Sequence, residues 1–453
     1  MNDHKKKRVA AVTLGCKLNY AETSTILDDL CKQGWQLSTI DAGADLIIIH
    51  TCAVTKQAEQ KCRQKIRGII KKNPSSRIAV IGCYSQLNPQ VLSEINGIDL
   101  ILGSNDKFDI RWYNNIIAGT VPLPFVHVTP SCTFQDVYPG YSLPAALGTE
   151  RTRAFLKIQD GCDYGCSYCV IPMVRGKSRS LPAGQIVERA RLLASSGYRE
   201  IVLTGVNIGD YRFEGLELSD LLRMLEEVNV SRIRISSIEL DVVDSKLISL
   251  VAASKKIVPH LHIPLQSGSD TILRAMRRRY DTLLYRYRVQ QLVERIAECA
   301  IGADVMVGYP GETDEDFSQM YRFIEELPLA YLHVFSCSIR PGTTLARQID
   351  NHERKSVAPQ EVARRYSELV KLGRQKEAKF KSRYMGKECI VLFEGVGPLR
   401  NGIQQCSGYT RNYLRVVVES TDSKLKNTMT GNELHVLIDS LDDDLNLTGR
   451  VLS

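Results

Sequence analysis

No apolar run in this 453-residue chain approaches the roughly 20 residues that a membrane-spanning helix needs; the longest, such as Leu46–Ile49, suit buried strands. No membrane is therefore expected among its partners, and the expected compartment is the cytoplasm. Lys5, Lys6, Lys7 and Arg8, followed by apolar residues up to Cys16, resemble a lipoprotein signal only superficially, because the apolar part is about seven residues long. Internal repeats and low-complexity tracts are also missing. Without a secretory segment, the 13 cysteines do not read as a disulfide framework. Metal binding, catalysis or burial as small apolar side chains remain for them. With 43% hydrophobic and 24% charged residues, the chain is an ordinary globular one, long enough for two or three domains. Its net charge of +8 is carried by residues 1–381, residues 382–453 being slightly acidic, which fits a polyanionic partner without demanding one.

What is present falls into an α/β protein of three parts. Residues 1–120 alternate short Val- and Ile-rich runs (Arg8–Leu14, Asp45–Ile49, Arg77–Ile81, Ile98–Leu102) with helical stretches such as Asn19–Lys32 and Lys56–Lys72, as an open parallel sheet should. Residues 121–150 hold Pro122, Pro124, Pro130, Pro139 and Pro144 and read as a linker. In residues 151–381 the alternation resumes with six strands, too few for a closed eight-stranded barrel, so a partial and laterally open one is expected. Thr313, with Asp316 three residues on, has the pattern of a helix cap, and residues 355–381 read as a long basic helix. Residues 382–453 show apolar alternation between glycine turns at Gly395, Gly397, Gly402, Gly408 and Gly431, the pattern of a small all-β barrel.

Cys162, Cys166 and Cys169 form a C-x3-C-x2-C run just after the first central strand. Three thiolates within eight residues can hold three irons of a four-iron cluster and leave the fourth open to a substrate. Zinc is the rival reading, but a structural zinc site wants four ligands and the nearest histidines, His127 and His260, are distant in sequence. A flexible loop is the other. Cys16, Cys52 and Cys83 each follow a strand, in VTLGC, IIIHTC and AVIGC. In an open parallel sheet such ends share one edge, so the three can converge on a second cluster; the alternative is three independent buried cysteines. The other seven read as structural.

With these residues in view, the chain resembles the methylthiotransferase family of radical S-adenosylmethionine enzymes over nearly its whole length. KIQDGCDYGCSYCVIPMVRGKSRS resembles a radical S-adenosylmethionine domain, and SGYTRNYLRV a TRAM domain, a small RNA-binding barrel. GCKLNYAET and TCAVTKQAEQKCRQ resemble the branch that acts on N6-threonylcarbamoyladenosine beside the tRNA anticodon, rather than the ribosomal-protein branch (GCPKN) or the isopentenyladenosine branch (GCQMN). One departure is His50, where the family usually has Asn before Thr-Cys.

The resemblance implies two 4Fe-4S clusters, S-adenosylmethionine as radical source and methyl donor, transfer to adenine carbon 2, tRNA as partner and an external one-electron donor. It leaves the sulfur source open. Catalytic and metal roles fall on the six cysteines. Tyr168 is expected to pack on adenine, Thr204, Gly205 and Asn207 to meet the methionine end, Glu239 to hold the ribose and Gln266 to assist, each weighed against an ordinary core, loop or capping residue. Arg175, Lys177 and Arg179 are expected at phosphates by the site mouth. Arg274, Arg277, Arg278 and Arg279, and Lys371, Arg374, Lys376, Lys379 and Lys381, form two further basic patches, with a solvated helix face as the alternative. In the terminal barrel, Tyr409, Arg411, Tyr413 and Arg415 are expected to meet RNA by stacking and guanidinium contacts. Rival functions are the same chemistry on a ribosomal protein or isopentenyladenosine, and a non-catalytic iron–sulfur protein that binds RNA or transfers electrons.

Overall fold

Leu46–Thr51, the strand LIIIHT, is buried along its whole length, as a central strand of a parallel sheet covered on both faces must be. The computed structural model describes residues 6–142, 152–397, 403–420 and 429–452; Lys5, Pro144 and Gly402 lie outside the described residues. The first sheet contains β1 (Arg8–Thr13), β2 (Gln36–Leu37), β3 (Leu46–Thr51), β4 (Arg77–Gly82), β5 (Leu100–Leu102) and β6 (Phe125–His127). All are parallel, in the order β2-β1-β3-β4-β5-β6. Ile47 and Ile49 pack with Cys62, Ile66 and Ile69 of helix α2 (Lys56–Lys72), whereas Leu46 and Ile48 pack with Ile26 and Leu30 of helix α1 (Lys17–Lys32). The winding reverses between β1 and β3, which opens a crevice at their carboxyl ends.

The segment expected as a linker contributes to this sheet. Phe125–His127 pairs with β5, and the Phe125 ring stacks 4.6 Å from Trp112. Further on, Tyr141 pairs with Leu156 and donates to Asp28 at 2.8 Å. Pro122 and Pro124 forbid a helix but not an edge strand, whose outer side needs no hydrogen-bond donors.

The central part holds β7 (Arg153–Lys157), β8 (Glu200–Thr204), β9 (Arg232–Ile235), β10 (His260–His262), β11 (Ala300–Val307) and β12 (Tyr331–Ser336). Strands β7–β8–β9 and β10–β11–β12 form two parallel ladders, joined by the bridge Ser237–His262. This is the partial barrel, its strands in sequence order and its lateral edges β7 and β12. Thr313 and Asp316 close a capping box on helix Asp314–Glu326, and Pro359–Ser382 is the long basic helix.

The last part is a closed five-stranded, TRAM-like barrel, β13 (Glu388–Val396), β14 (Gln404–Thr410), β15 (Arg415–Ser420), β16 (Glu433–Leu441) and β17 (Leu447–Val451), ordered β13-β14-β15-β17-β16. It docks against the amino ends of the central strands. Arg232, the first residue of β9, is fully buried; it pairs with Glu433 at 2.5 Å and donates to the Tyr409 and Ile390 carbonyls. Arg153, the first residue of β7, pairs with Glu394. No helix among the described residues is long and apolar enough to cross a membrane.

Candidate active site

The C-x3-C-x2-C run leaves the carboxyl end of β7 in a loop that a glycine makes possible. Gly161 has φ +74°, and a Cβ there would lie 1.9 Å from the Lys177 carbonyl oxygen. The loop folds so that donors meet sulfur. The Tyr164 amide lies 3.4 Å from Cys162 Sγ, the Ile171 amide 3.5 Å from Cys169 Sγ, and Arg278 Nη1 3.2 Å from Cys166 Sγ. As free thiols these groups would not ionise, since burial pushes Cys162 and Cys169 up to about 12. Three thiols of one loop, each with an amide or guanidinium donor at its sulfur, fit thiolate ligands of a cluster, because coordination removes the proton and the donors offset the resulting charge.

Cys16, Cys52 and Cys83 follow β1, β3 and β4 and converge at the crevice beside the winding reversal. They are close enough that charge on Cys83 acts on both of the others. Gly82, φ +100°, precedes Cys83; a Cβ there would lie 2.4 Å from His50 Cδ2. His50, the departure from the family pattern, is fully buried, with Nδ1 2.8 Å from Thr23 Oγ1 and Nε2 3.8 Å from Glu22. Burial first, then the charge of Lys107, hold its pKa well below the usual imidazole value. Cys62 also comes close, its thiol 3.7 Å from the Cys52 carbonyl. All 13 cysteines are free.

Between the triads lies a buried ionic network that sequence reasoning missed. Glu22 of α1 accepts from Lys107 at 2.7 Å, Lys157 at 2.8 Å and Arg175 at 2.8 Å, and Asp160 accepts from Lys157 at 2.6 Å and Arg175 at 3.1 Å. Burial alone would raise both carboxyls, but the surrounding cations hold Glu22 well below its usual range and bring Asp160 down to about 2. Three cations face two carboxylates. The surplus positive charge lies beside Cys83, whose charge acts on both Arg175 and Lys107, so an anionic thiolate-bound cluster suits the site. Arg175 also donates to Asn19 at 2.8 Å, and Asn19 lies 3.6 Å from Cys16 Sγ. The expectation that Arg175 meets RNA is thus corrected: it is buried and joins the first two domains. Lys157, Gln159 and Asp160, polar residues in and just past an apolar strand, were the available signal.

The residues expected around S-adenosylmethionine gather at the strand ends near the first triad. Tyr168 packs half-buried with Ile272, Met276 and Tyr309. Gln159 organises the next loop: its Oε1 accepts from the Val206 and Asn207 amides at 3.1 and 2.9 Å, and its Nε2 donates to the Gly161 carbonyl at 2.8 Å. Thr204 ends β8, and Gly205 lies against the Gln159 carbonyl, where a Cβ would come within 2.8 Å. Asn207 donates to Asp210 at 2.8 Å, while its buried Oδ1 has no hydrogen-bond partner among the described residues. Glu239 pairs with Arg278, and burial raises its carboxyl above the ordinary value against that pairing. Gln266 holds φ +65°, a conformation a non-glycine residue adopts at a cost.

Residues 8–103 match the uncharacterized protein family UPF0004, and residues 156–324 the radical SAM superfamily. The threonylcarbamoyladenosine tRNA methylthiotransferase MtaB of Bacillus subtilis (strain 168) is 36% identical over 422 residues, 92% of this chain and 91% of that protein. The chain belongs to the radical SAM tRNA methylthiotransferases. MtaB of Aquifex aeolicus (strain VF5) is 33% identical, covering 85% of this chain and 92% of its own. The tRNA-2-methylthio-N(6)-dimethylallyladenosine synthase of Endomicrobium trichonymphae is 30% identical, covering 96% and 98%. Among solved structures, the radical S-adenosylmethionine methyltransferase TsrM from Kitasatospora setae has a TM-score of 0.56 at 15% identity over 77% of this chain and 78% of that one, a likeness of fold alone. As a family member the chain is an enzyme that uses S-adenosylmethionine and four-iron–four-sulfur clusters.

A cavity of about 710 Å³ opens between the partial barrel of this methylthiotransferase, its TRAM-like barrel and the start of α1. Lys17, Ser236, Ser237, His260, Asp304 and Tyr413 are among its walls. Asp304 accepts from His262 at 2.9 Å and His333 at 3.3 Å. Partial desolvation, then the charges of Arg153 and Arg234, pull the Lys17 ammonium below its usual pKa. The residues expected to meet RNA divide here. Tyr413 stacks on Tyr409 at 4.9 Å and lies under the Arg153 and Arg234 guanidiniums, turned inward by the barrel's docking. Arg411 donates to the Lys255 carbonyl at 2.6 Å, and Arg179 to the Asp136 and Arg175 carbonyls at 2.6 Å. Lys177 and Arg415 are exposed, as are Arg274, Arg277 and Arg279 of the arginine patch. Arg278 instead serves Cys166 and Glu239, and Lys376 and Lys381 of the lysine patch are tied to backbone carbonyls.

Proposed function

We propose that this methylthiotransferase acts on N6-threonylcarbamoyladenosine beside the tRNA anticodon, in the cytoplasm, placing a methylthio group on adenine carbon 2. The observation that carries this is the Bacillus subtilis relative of that name, 36% identical over nine tenths of both chains, together with the GCKLNYAET string at the first strand end. When bound, a cluster held by Cys162, Cys166 and Cys169 would supply the reductive chemistry on S-adenosylmethionine, and one held by Cys16, Cys52 and Cys83 would supply the sulfur.

The chain's own residues bind, orient and exclude water. Cys162, Cys166 and Cys169 ligate the radical-generating cluster, with Arg278 donating to Cys166 and so offsetting thiolate charge. Tyr168 supplies an apolar face for adenine. The backbone of Thr204 and Gly205 and the unpartnered Asn207 Oδ1 receive the methionine end, Glu239 the ribose hydroxyls, and Gln266 closes the wall. Cys16, Cys52 and Cys83 ligate the sulfur-bearing cluster, and the Glu22 network holds that domain against the first cluster. Lys177 and Arg415, the latter donating to Asn446 at 2.8 Å, are exposed cations that meet tRNA phosphates, as are Arg274, Arg277 and Arg279, and an external donor supplies the electron.

A second reading, dimethylallyladenosine as substrate, is favoured by the Endomicrobium relative. Mass spectrometry of tRNA nucleosides from cells lacking the protein separates the two. Loss of the methylthio form of threonylcarbamoyladenosine is the expected result; loss of the methylthio form of dimethylallyladenosine would replace the reading with the second one.

A further inference from the structure

Most cations in and around the large cavity already have a partner. Arg153 is paired with Glu394, Arg234 with Glu200, Arg232 with Glu433 and Lys381 with Glu377. Lys17 differs. It follows Cys16 directly, lines the cavity and has its Nζ 5.9 Å from the Tyr413 ring centroid; among the described residues no hydrogen bond or ion pair reaches that nitrogen. Nearby, His260 uses Nε2 on the Tyr331 hydroxyl at 2.9 Å and leaves Nδ1 buried with no hydrogen-bond partner among the described residues. With Ser236 and Ser237 these groups make a polar wall. A dimethylallyl group has nothing to offer such a wall and would leave its donors unsatisfied. A threonylcarbamoyl group carries a carboxylate, a hydroxyl and a urea-like carbonyl. An ionised carboxylate enters a partly desolvated cavity at low cost only if a cation meets it there.

We propose that Lys17 binds the carboxylate of the threonylcarbamoyl substituent, with His260 Nδ1 as a second polar contact, and thereby selects this substrate over a dimethylallyl one. The inference rests on the substrate reading above and adds the residue that enforces it. A phosphate of the tRNA backbone presents similar anionic oxygens, so the test must separate the two sources.

The test is binding of anticodon stem-loops to anaerobically reconstituted holoenzyme. One loop carries threonylcarbamoyladenosine, a second its neutral carboxamide and a third unmodified adenosine. Wild-type protein should prefer the first over the second by about 10- to 100-fold, the range of a charge-assisted hydrogen bond. Lys17→Met should erase that preference without changing affinity for the carboxamide loop, and Lys17→Arg should keep it. Equal affinity of the wild type for the first two loops, or a preference that survives in Lys17→Met, overturns the proposal. So does equal weakening of all three loops with a shallower salt dependence, which would assign Lys17 to a phosphate. Loss of iron from Lys17→Met overturns it in favour of a structural role beside Cys16. Failure of the substrate reading shows separately, as wild-type turnover of a dimethylallyl loop whatever Lys17 does.

Discussion

Cys162, Cys166 and Cys169 lie in one short loop, whereas Cys16, Cys52 and Cys83 are gathered from three strands that span most of a domain. Their surroundings differ as much as their spacing. The first triad is served mainly by its own loop, through the Tyr164 and Ile171 amides, with Arg278 the one distant donor among the described residues. The second depends on a sheet, and on a charged network that crosses a domain boundary from Glu22 to Lys157, Asp160 and Arg175. A site built within a loop tolerates change elsewhere. A site assembled by topology inherits the stability of everything that holds the topology together.

The sharpest test of this division is to remove each triad. Alanine at Cys162, Cys166 and Cys169 should abolish both cleavage of S-adenosylmethionine to 5′-deoxyadenosine and methylthio transfer. Alanine at Cys16, Cys52 and Cys83 should abolish transfer only, and reconstituted iron should fall from about eight to about four per chain, one cubane instead of two. Methylthiolated tRNA from the second variant would end the division of labour.

Next in size is the network. Glu22→Gln leaves three buried cations with a single carboxylate, so unfolding by urea should show a loss of about 3–5 kcal/mol, the usual result of breaking a buried ion pair. Iron should be lost first from the strand-end site; loss from the loop site first would reverse the comparison. Acid probes the same network. Glu22 and Asp160 ionise below their usual range when folded, so their contribution is complete above an unfolded pKa of about 4. It is lost as pH falls through the folded values, toward about 2 for Asp160. Urea midpoints of the apoprotein should therefore drop over that window in wild type and less in Glu22→Gln.

Arg278→Met touches the loop site alone. It removes the donor to Cys166 and leaves Glu239 unpaired, so 5′-deoxyadenosine formation should fall roughly 10- to 100-fold while iron content holds. The smallest effects belong to the RNA surface. Lys177→Ala and Arg415→Ala should each lower the slope of log affinity for tRNA against log salt by roughly 0.7–0.9 if each side chain meets one phosphate. Arg411→Ala should leave the slope unchanged, because its guanidinium is held on the Lys255 carbonyl. A lowered slope for Arg411 would show that the docked barrel opens to bind RNA.

The amino-acid sequence by itself determined the elements and the chemistry. Period-two apolar runs and glycine turns specify the strands of the terminal barrel, Val- and Ile-rich runs specify the buried parallel strands, and local thiol spacing specifies the loop triad, because each depends on residues close together in the chain. The convergence of Cys16, Cys52 and Cys83 was legible only through the rule that parallel strands end on one edge. Tertiary structure alone decided the rest. Phe125–His127 became an edge strand because β5 offered it a partner, against the proline signal around it. Arg175 and Arg278, indistinguishable in sequence from phosphate-binding arginines, were turned inward by carboxylates 153 and 39 residues away, Glu22 and Glu239. Tyr413 was turned from a surface residue into a cavity wall by the docking of the barrel. A charged side chain carries no local mark of its partner; only the fold that desolvates it decides whether it meets solvent, a thiolate or another charge.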